Sequence, residues 1–195
     1  MKVIGLTGGI ASGKSTASAY LRELGAAIVD ADAISRASTR CGGAAFEAVC
    51  AAFGDILGAD GEIDRRKLGG IVFADEDARR KLNSIVHPAV MAESRAQIEN
   101  ARASGVKMCI LDVPLLFETG MEKLCDETWL IYVPREEQIR RMAERDGLDA
   151  AAAAARIDSQ MPLEEKLKRA DVAIDSSGTI EQTREKLRRL WEERT

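Results

Sequence analysis

A glycine-rich segment near the start of the chain, Gly8-Gly9-Ile10-Ala11-Ser12-Gly13-Lys14-Ser15, matches the pattern of a phosphate-binding loop. Its glycines let the backbone wrap closely, so that N–H groups can point at phosphate oxygens. In this pattern the lysine reaches the β- and γ-phosphates of a nucleotide and the serine hydroxyl ligates Mg²⁺. The segment lies between an apolar run at residues 2–7 and a helical pattern at residues 15–24, which is the context that the pattern requires. We therefore predict a site for ATP and Mg²⁺. The expected nucleotide contacts in this segment are Gly9, Ile10, Ala11, Ser12, Gly13, Lys14, Ser15 and Thr16.

Phosphoryl transfer also needs a carboxylate near the metal and a group that accepts the proton of the acceptor hydroxyl. Asp112 ends the apolar run at residues 106–113, an arrangement that predicts Mg²⁺ support directly or through water; Glu118 is a weaker candidate. Asp30 and Asp32 end the run at residues 26–30, and we favour Asp32 as the base. The alternative is that both are helix N-cap or turn residues.

The spacing of the apolar runs indicates an α/β protein. Five short runs are separated by helical patterns, which is typical of βαβ units and a mostly parallel sheet; they are residues 2–7, 26–30, 106–113, 127–133 and 170–174. About 75 residues separate the second run from the third, far more than a crossover requires. This stretch is mainly helical, at residues 43–53, 65–72, 75–85 and 88–104, and predicts a substrate-binding insertion.

An arginine-rich segment at residues 136–161 predicts a mobile lid, or simply a pair of helices with solvated charge; its arginines are Arg140, Arg141, Arg145 and Arg156. The predicted organisation is a nucleotide-binding core of residues 1–32, 106–135 and 164–195, a helical insertion of residues 33–105 and a lid of residues 136–163.

Composition excludes several classes of protein. A formal net charge of −4 argues against a general nucleic-acid binder. The four cysteines have no CxxC spacing and the single histidine is not near them, so neither zinc nor a disulfide framework is indicated. Asp112-Val113-Pro114-Leu115 lacks the DxxG of a regulatory GTPase, and protein-kinase motifs are missing. No apolar stretch approaches the length of a membrane span. We expect a cytoplasmic monomer or small homo-oligomer.

Seven segments together resemble the dephospho-CoA kinase family over nearly the whole chain. They are residues 4–16, 29–36, 85–88, 112–118, 145–148, 155–162 and 170–179. The resemblance implies a three-layer P-loop kinase fold with a five-stranded sheet, a helical CoA-binding insertion and a helical lid. It implies transfer of the γ-phosphoryl group of ATP to the ribose 3′-hydroxyl of dephospho-CoA, the last step of coenzyme A synthesis.

The same resemblance implies roles for individual residues. Asp32 would be the base, and Arg141 and Arg145 would join Lys14 in neutralising the transferring phosphoryl group. The implied acceptor-binding residues are Thr7, Asp32, His87, Leu115 and Arg141, although a lone histidine before a proline is also typical of a helix entry or a core position. Ser177 and Gly178 would approach the adenine of ATP.

Two positions depart from the family pattern. Ser176 stands where the family commonly has Asn, which puts any contact from an amide side chain in doubt. Ala11 replaces a common glycine, and we expect its φ to be negative, because a side chain makes positive φ costly. Two other functions stay open at this point: a kinase for a different small hydroxyl acceptor, and a protein that uses slow ATP hydrolysis as a conformational switch.

Overall fold

The computed structural model describes all 195 residues and is built on a five-stranded sheet. The strands are β1 (Lys2–Gly8), β2 (Ala27–Asp30), β3 (Met108–Asp112), β4 (Glu127–Tyr132) and β5 (Val172–Asp175), in the spatial order β2-β3-β1-β4-β5. The pairings β1–β3, β1–β4 and β4–β5 are parallel. The predicted α/β fold class is confirmed.

Nine α-helices connect and flank these strands. They are α1 (Lys14–Glu23), α2 (Ala31–Ser38), α3 (Phe46–Phe53), α4 (Arg65–Ala74), α5 (Glu76–Ala103), α6 (Arg135–Asp146), α7 (Ala150–Asp158), α8 (Leu163–Arg169) and α9 (Ile180–Glu192). A short 3₁₀ helix, Met121–Leu124, precedes β4. None of the helices is long and apolar enough to cross a membrane.

The core of the sheet positions the loop that follows β1. Side chains of the three central strands are fully buried, among them Ile4, Leu6, Ile110, Trp129 and Ile131. Leu6 is in register with Asp112 on one side and with Trp129 on the other. Since parallel strands end at the same edge, this register brings the carboxyl ends of β1 and β3 together.

The chain divides into two compact units. One comprises residues 1–29 and 98–195, and the other comprises residues 30–97. The second unit contains α2 to α4 and most of α5, with a small core that includes Ile34, Val49, Ile56 and Leu68. Residues 136–163 belong to the first unit.

The helical pattern around Pro88 was predicted as two helices, and that prediction is wrong. A single helix, α5, runs from Glu76 to Ala103 with Pro88 inside it. A proline in a helix interior removes one hydrogen bond and costs about 3 kcal/mol. Val86 and Val90 are both buried, on either side of Pro88. Packing of the apolar face through this turn offsets the local cost, and sequence periodicity alone does not register that packing.

Candidate active site

The loop between β1 and α1 has two residues in the left-handed region. Gly13, at the N-cap of α1, has φ 87° and ψ 16°. Ala11 has φ 58°, so the prediction of a negative φ is wrong. An L-residue pays roughly 1–2 kcal/mol for this conformation. The loop therefore stores strain at Ala11 that contacts elsewhere must offset.

Gly8 is required for its small size rather than for its φ. A Cβ on Gly8 would lie 2.6 Å from Ser12 Oγ and 2.7 Å from the carbonyl oxygen of Ile131. The Ser12 hydroxyl is buried and has no hydrogen-bond partner. The loop thus folds back tightly on the end of β1, with a polar group enclosed beneath it.

Three consecutive carbonyl groups of the loop accept hydrogen bonds from side chains outside it. Gln138 Nε2 donates to the oxygen of Ile10 at 2.7 Å. Arg141 Nη1 donates to the oxygen of Ala11 at 3.3 Å, and Ser176 Oγ donates to the oxygen of Ser12 at 2.6 Å. We call these three contacts the outer ties of the loop. They come from α6 and from the end of β5, and they fix which way the carbonyl groups of the loop point.

At the end of β3, the ammonium of Lys14 contacts the carboxylate of Asp112. The two side chains are 18% and 11% exposed. Ser15 and Thr16 follow on the first turn of α1 and are exposed. The structure therefore brings the lysine and both predicted magnesium ligands, Ser15 and Asp112, to one edge of the sheet.

The carbonyl oxygen of Pro114 joins three segments of the first unit. It accepts hydrogen bonds from the hydroxyl of Thr7 at 3.0 Å and from the ammonium of Lys166 at 3.1 Å. Lys166 is only 2% exposed and also pairs with Glu118 at 3.0 Å. Glu118 in turn accepts a hydrogen bond from the backbone N–H of Met161. The hydroxyl of Thr7, a predicted acceptor contact, is directed at protein here, and Leu115 is 39% exposed beside it.

The two arginines predicted to neutralise the transferring phosphoryl group, Arg141 and Arg145, both lie on α6 but in different surroundings. Arg141 donates to Glu137 and to the carbonyl oxygens of Ala11 and Ser176, which occupies three of the five N–H donors of its guanidinium. Hydrogen bonds from Arg140 and Arg141 lower the pKa of Glu137 to about 2, so that carboxylate stays charged. Arg145 is exposed and pairs with the neighbouring Asp146 at 2.8 Å.

A cavity of about 480 Å³ opens beside the loop in the first unit. Its lining includes Gly9, Pro134, Gln138, Gln160 and Lys166. This volume falls within the range of small-molecule sites.

After β5, the backbone N–H of Ser177 donates to Asp175 at 2.8 Å. Hydrogen bonding from the side chain of Ser177, and then from this N–H, lowers the pKa of the Asp175 carboxyl. Ser177 and Gly178 are exposed.

The remaining predicted residues lie in the second unit. Asp30 is the N-cap of α2 and accepts a hydrogen bond from the N–H of Ala33 at 2.9 Å. The alternative prediction, that this aspartate is a helix N-cap, is therefore confirmed for Asp30. Asp32 lies in the exposed first turn of the same helix. His87 is exposed on α5, one residue before Pro88.

Sequence reasoning missed Gln138, Lys166 and the hydroxyl of Ser176. Gln138 precedes Arg141 by three residues on α6, and residues at this spacing share a helix face. The sequence therefore places Gln138 on the same helix face as a predicted active-site arginine, but it does not show that the glutamine is buried against the loop. Lys166 and Ser176 carried no comparable signal.

Known proteins match this chain along almost its whole length. The family model for dephospho-CoA kinase matches residues 2–182. A dephospho-CoA kinase from Carboxydothermus hydrogenoformans is 53% identical over 96% of this chain and 91% of that protein. Among solved structures, TT1252 from Thermus thermophilus superposes with a TM-score of 0.83 at 36% identity, covering 100% of this chain and 98% of that one. A dephospho-CoA kinase from Campylobacter jejuni gives a TM-score of 0.68 at 29% identity, covering 100% and 97%. This chain belongs to the dephospho-CoA kinase family.

Proposed function

We propose that this protein transfers the γ-phosphoryl group of ATP to the ribose 3′-hydroxyl of dephospho-CoA and releases coenzyme A and ADP. The observation that carries the proposal is the placement of Lys14 against Asp112 beside the phosphate loop, in a chain whose residues 2–182 match the family. Membership of the family names the acceptor, and the loop geometry supplies the donor site.

The donor end of the reaction is assigned to the phosphate loop and the end of β3. Lys14 would leave Asp112 and reach the β- and γ-phosphates, while the loop N–H groups bind phosphate oxygens. Ser15 and Asp112 would hold Mg²⁺, the latter through water. This donor set fits the ion, since Mg²⁺ is commonly held by one or two protein groups plus substrate phosphates and water. When bound, Mg²⁺ neutralises charge that develops on the phosphate oxygens.

The acceptor end is assigned on the family resemblance. Asp32 accepts the proton of the 3′-hydroxyl, and Arg141 and Arg145 stabilise charge on the transferring phosphoryl group. Arg141 can do so without leaving the loop if it uses the two of its five N–H donors that take no part in its three protein contacts. Thr7, His87 and Leu115 complete the proposed acceptor site, and Ser177 and Gly178 contact adenine through their backbone.

The proposed reaction also assigns a role to each part of the chain. Residues 33–105 form the CoA-binding insertion, and residues 136–163 form a lid over a nucleotide-binding core. The protein works in the cytoplasm as a monomer or small homo-oligomer, with small-molecule substrates and neither a nucleic-acid nor a membrane partner.

The decisive experiment is product identification. The purified protein is incubated with Mg-ATP and dephospho-CoA, and the phosphorylated position is read by mass spectrometry and ³¹P NMR. We expect ADP and 3′-phosphorylated product in equal amounts. Parallel incubations replace dephospho-CoA with adenosine, AMP and other nucleosides. Faster transfer to one of those acceptors would reject the assigned substrate, and ADP release independent of any acceptor would favour a nucleotide switch.

A further inference from the structure

Gln138 is an almost fully buried polar residue on α6, 5% exposed, and its side chain amide is directed at the phosphate loop. Its Nε2 donates to the carbonyl oxygen of Ile10 at 2.7 Å. A Cβ on Gly9 would lie 2.5 Å from the same nitrogen. The side chain therefore occupies space that only a glycine at position 9 leaves available.

The peptide group between Ile10 and Ala11 links this contact to a backbone N–H of the loop. The peptide is planar and trans, so its carbonyl oxygen and its N–H point in opposite directions. Holding the oxygen of Ile10 toward α6 turns the N–H of Ala11 to the opposite side. Gln138 thus determines the direction of a phosphate-loop N–H without being next to it in sequence.

The strain at Ala11 makes an external contact necessary. Its φ of 58° is costly for a residue with a side chain. Such conformations persist only where surrounding contacts over-determine them. The next N–H, that of Ser12, donates to the oxygen of Gly9 at 3.2 Å and so turns back into the loop. The Ala11 N–H is therefore the one whose direction depends on the Gln138 contact.

We propose that Gln138 is a positioning residue for nucleotide binding, whose amide holds the Ile10–Ala11 peptide so that the N–H of Ala11 faces a nucleotide phosphate. The proposal rests on one part of the proposed function, binding of nucleotide by this loop, and is independent of the acceptor. A protein that bound Mg-ADP but did not phosphorylate dephospho-CoA would contradict the function and leave this proposal open to test.

The first test replaces Gln138 with Met, which has a similar length and no N–H donor. Isothermal titration with Mg-ADP and thermal unfolding without nucleotide are measured on the same preparations. We expect Mg-ADP affinity to fall roughly three- to tenfold, in line with the loss of one hydrogen bond. The matched control is Gln97→Met, which removes a helix-surface hydrogen bond to Glu93 at 2.8 Å and should leave Mg-ADP affinity at the wild-type value. Wild-type Mg-ADP affinity in Q138M would overturn the proposal.

The second test uses Gln138→Glu, which keeps the shape of the side chain and titrates. A protonated carboxyl can donate to the oxygen of Ile10, whereas a carboxylate cannot and is repelled by that oxygen. We expect the affinity defect of this variant, relative to the wild type at the same pH, to shrink as pH falls from about 8 to about 5.5, since burial raises the pKa of a carboxyl into this range. A defect that does not change with pH over this range would overturn the proposal.

Discussion

The hydroxyl of Ser176 donates a hydrogen bond to the carbonyl oxygen of Ser12 across 164 positions of sequence. The same hydroxyl lies 3.1 Å from the carbonyl oxygen of Tyr132 at the end of β4. Ser176 is buried, and its side chain is hydrogen-bonded to the loop. The next two residues, Ser177 and Gly178, are exposed. The serine at position 176 therefore supports the loop, which is a different role from the adenine contact that an amide side chain could make there.

Replacing Ser176 with Ala should weaken nucleotide binding. The variant leaves the buried oxygen of Ser12 without its donor, and a lost hydrogen bond of this kind costs about 1–3 kcal/mol. Part of that cost falls on the loop conformation, so we expect Mg-ADP affinity to fall roughly five- to tenfold by titration calorimetry. Ser104→Ala, at the end of α5, removes a comparable hydroxyl contact to the oxygen of Ala101 and serves as control. Equal behaviour of the two variants would show that the Ser12 contact does not support the nucleotide site.

Asp32→Asn should separate binding from transfer. The variant keeps the size of the side chain and removes the proposed base, so we expect Mg-ADP affinity within about twofold of wild type and a fall in kcat of roughly two or more orders of magnitude. The matched control is Asp30→Asn. Asn is as good an N-cap as Asp, so the contact to the N–H of Ala33 is retained and the rate should stay within a few-fold of wild type. A normal rate in D32N, or a larger loss in D30N, would move the base away from Asp32.

Ala11→Gly should stabilise the protein or leave its stability unchanged. Glycine removes roughly 1–2 kcal/mol of left-handed strain at φ 58°. It also increases the entropy of the unfolded state, which costs about 0.4–1 kcal/mol of stability, so the free energy of unfolding should rise by about 0–1.6 kcal/mol. Urea denaturation followed by circular dichroism measures the difference. A loss of 1 kcal/mol or more would mean that the methyl group of Ala11 makes a contact that outweighs its backbone strain.

Lys166→Met should destabilise the first unit. The substitution fits the buried space but leaves the oxygen of Pro114 with one donor fewer and Glu118 without its cation. Breaking a buried ion pair costs roughly 3–5 kcal/mol, and the partial exposure of Glu118, 22%, reduces this to about 2–3 kcal/mol. Denaturant unfolding provides the measurement. The double variant Lys166→Met with Glu118→Gln should recover part of the loss, and an additive double variant would contradict the pairing.

The parts of the site that follow from local sequence patterns were predictable. The pattern of residues 8–15 follows from local turn chemistry. Asp112 was predicted as a site residue because it is an acid at the end of an apolar strand. Pro88 shows where local reasoning fails, since tertiary burial of Val86 and Val90 carries the helix through it.

Gln138 and Ser176 show a different limit. Their partners lie 128 and 164 positions away in the chain, and only the parallel packing of β1, β4 and β5 brings them to the loop. The left-handed φ of Ala11 depends on the same distant support, which is why the expected negative φ was wrong.

The outer ties also determine whether the glycine-rich segment of residues 8–15 could function if it were transferred to another protein. Its carbonyl groups are held by Gln138, Arg141 and Ser176, all contributed by the second half of the chain. An octapeptide grafted onto another strand–helix junction would bring its glycines and Lys14 but no scaffold to orient its amides. Engineering such a junction would require transplanting the side chains of the outer ties, from α6 and from the residue after β5, together with the loop.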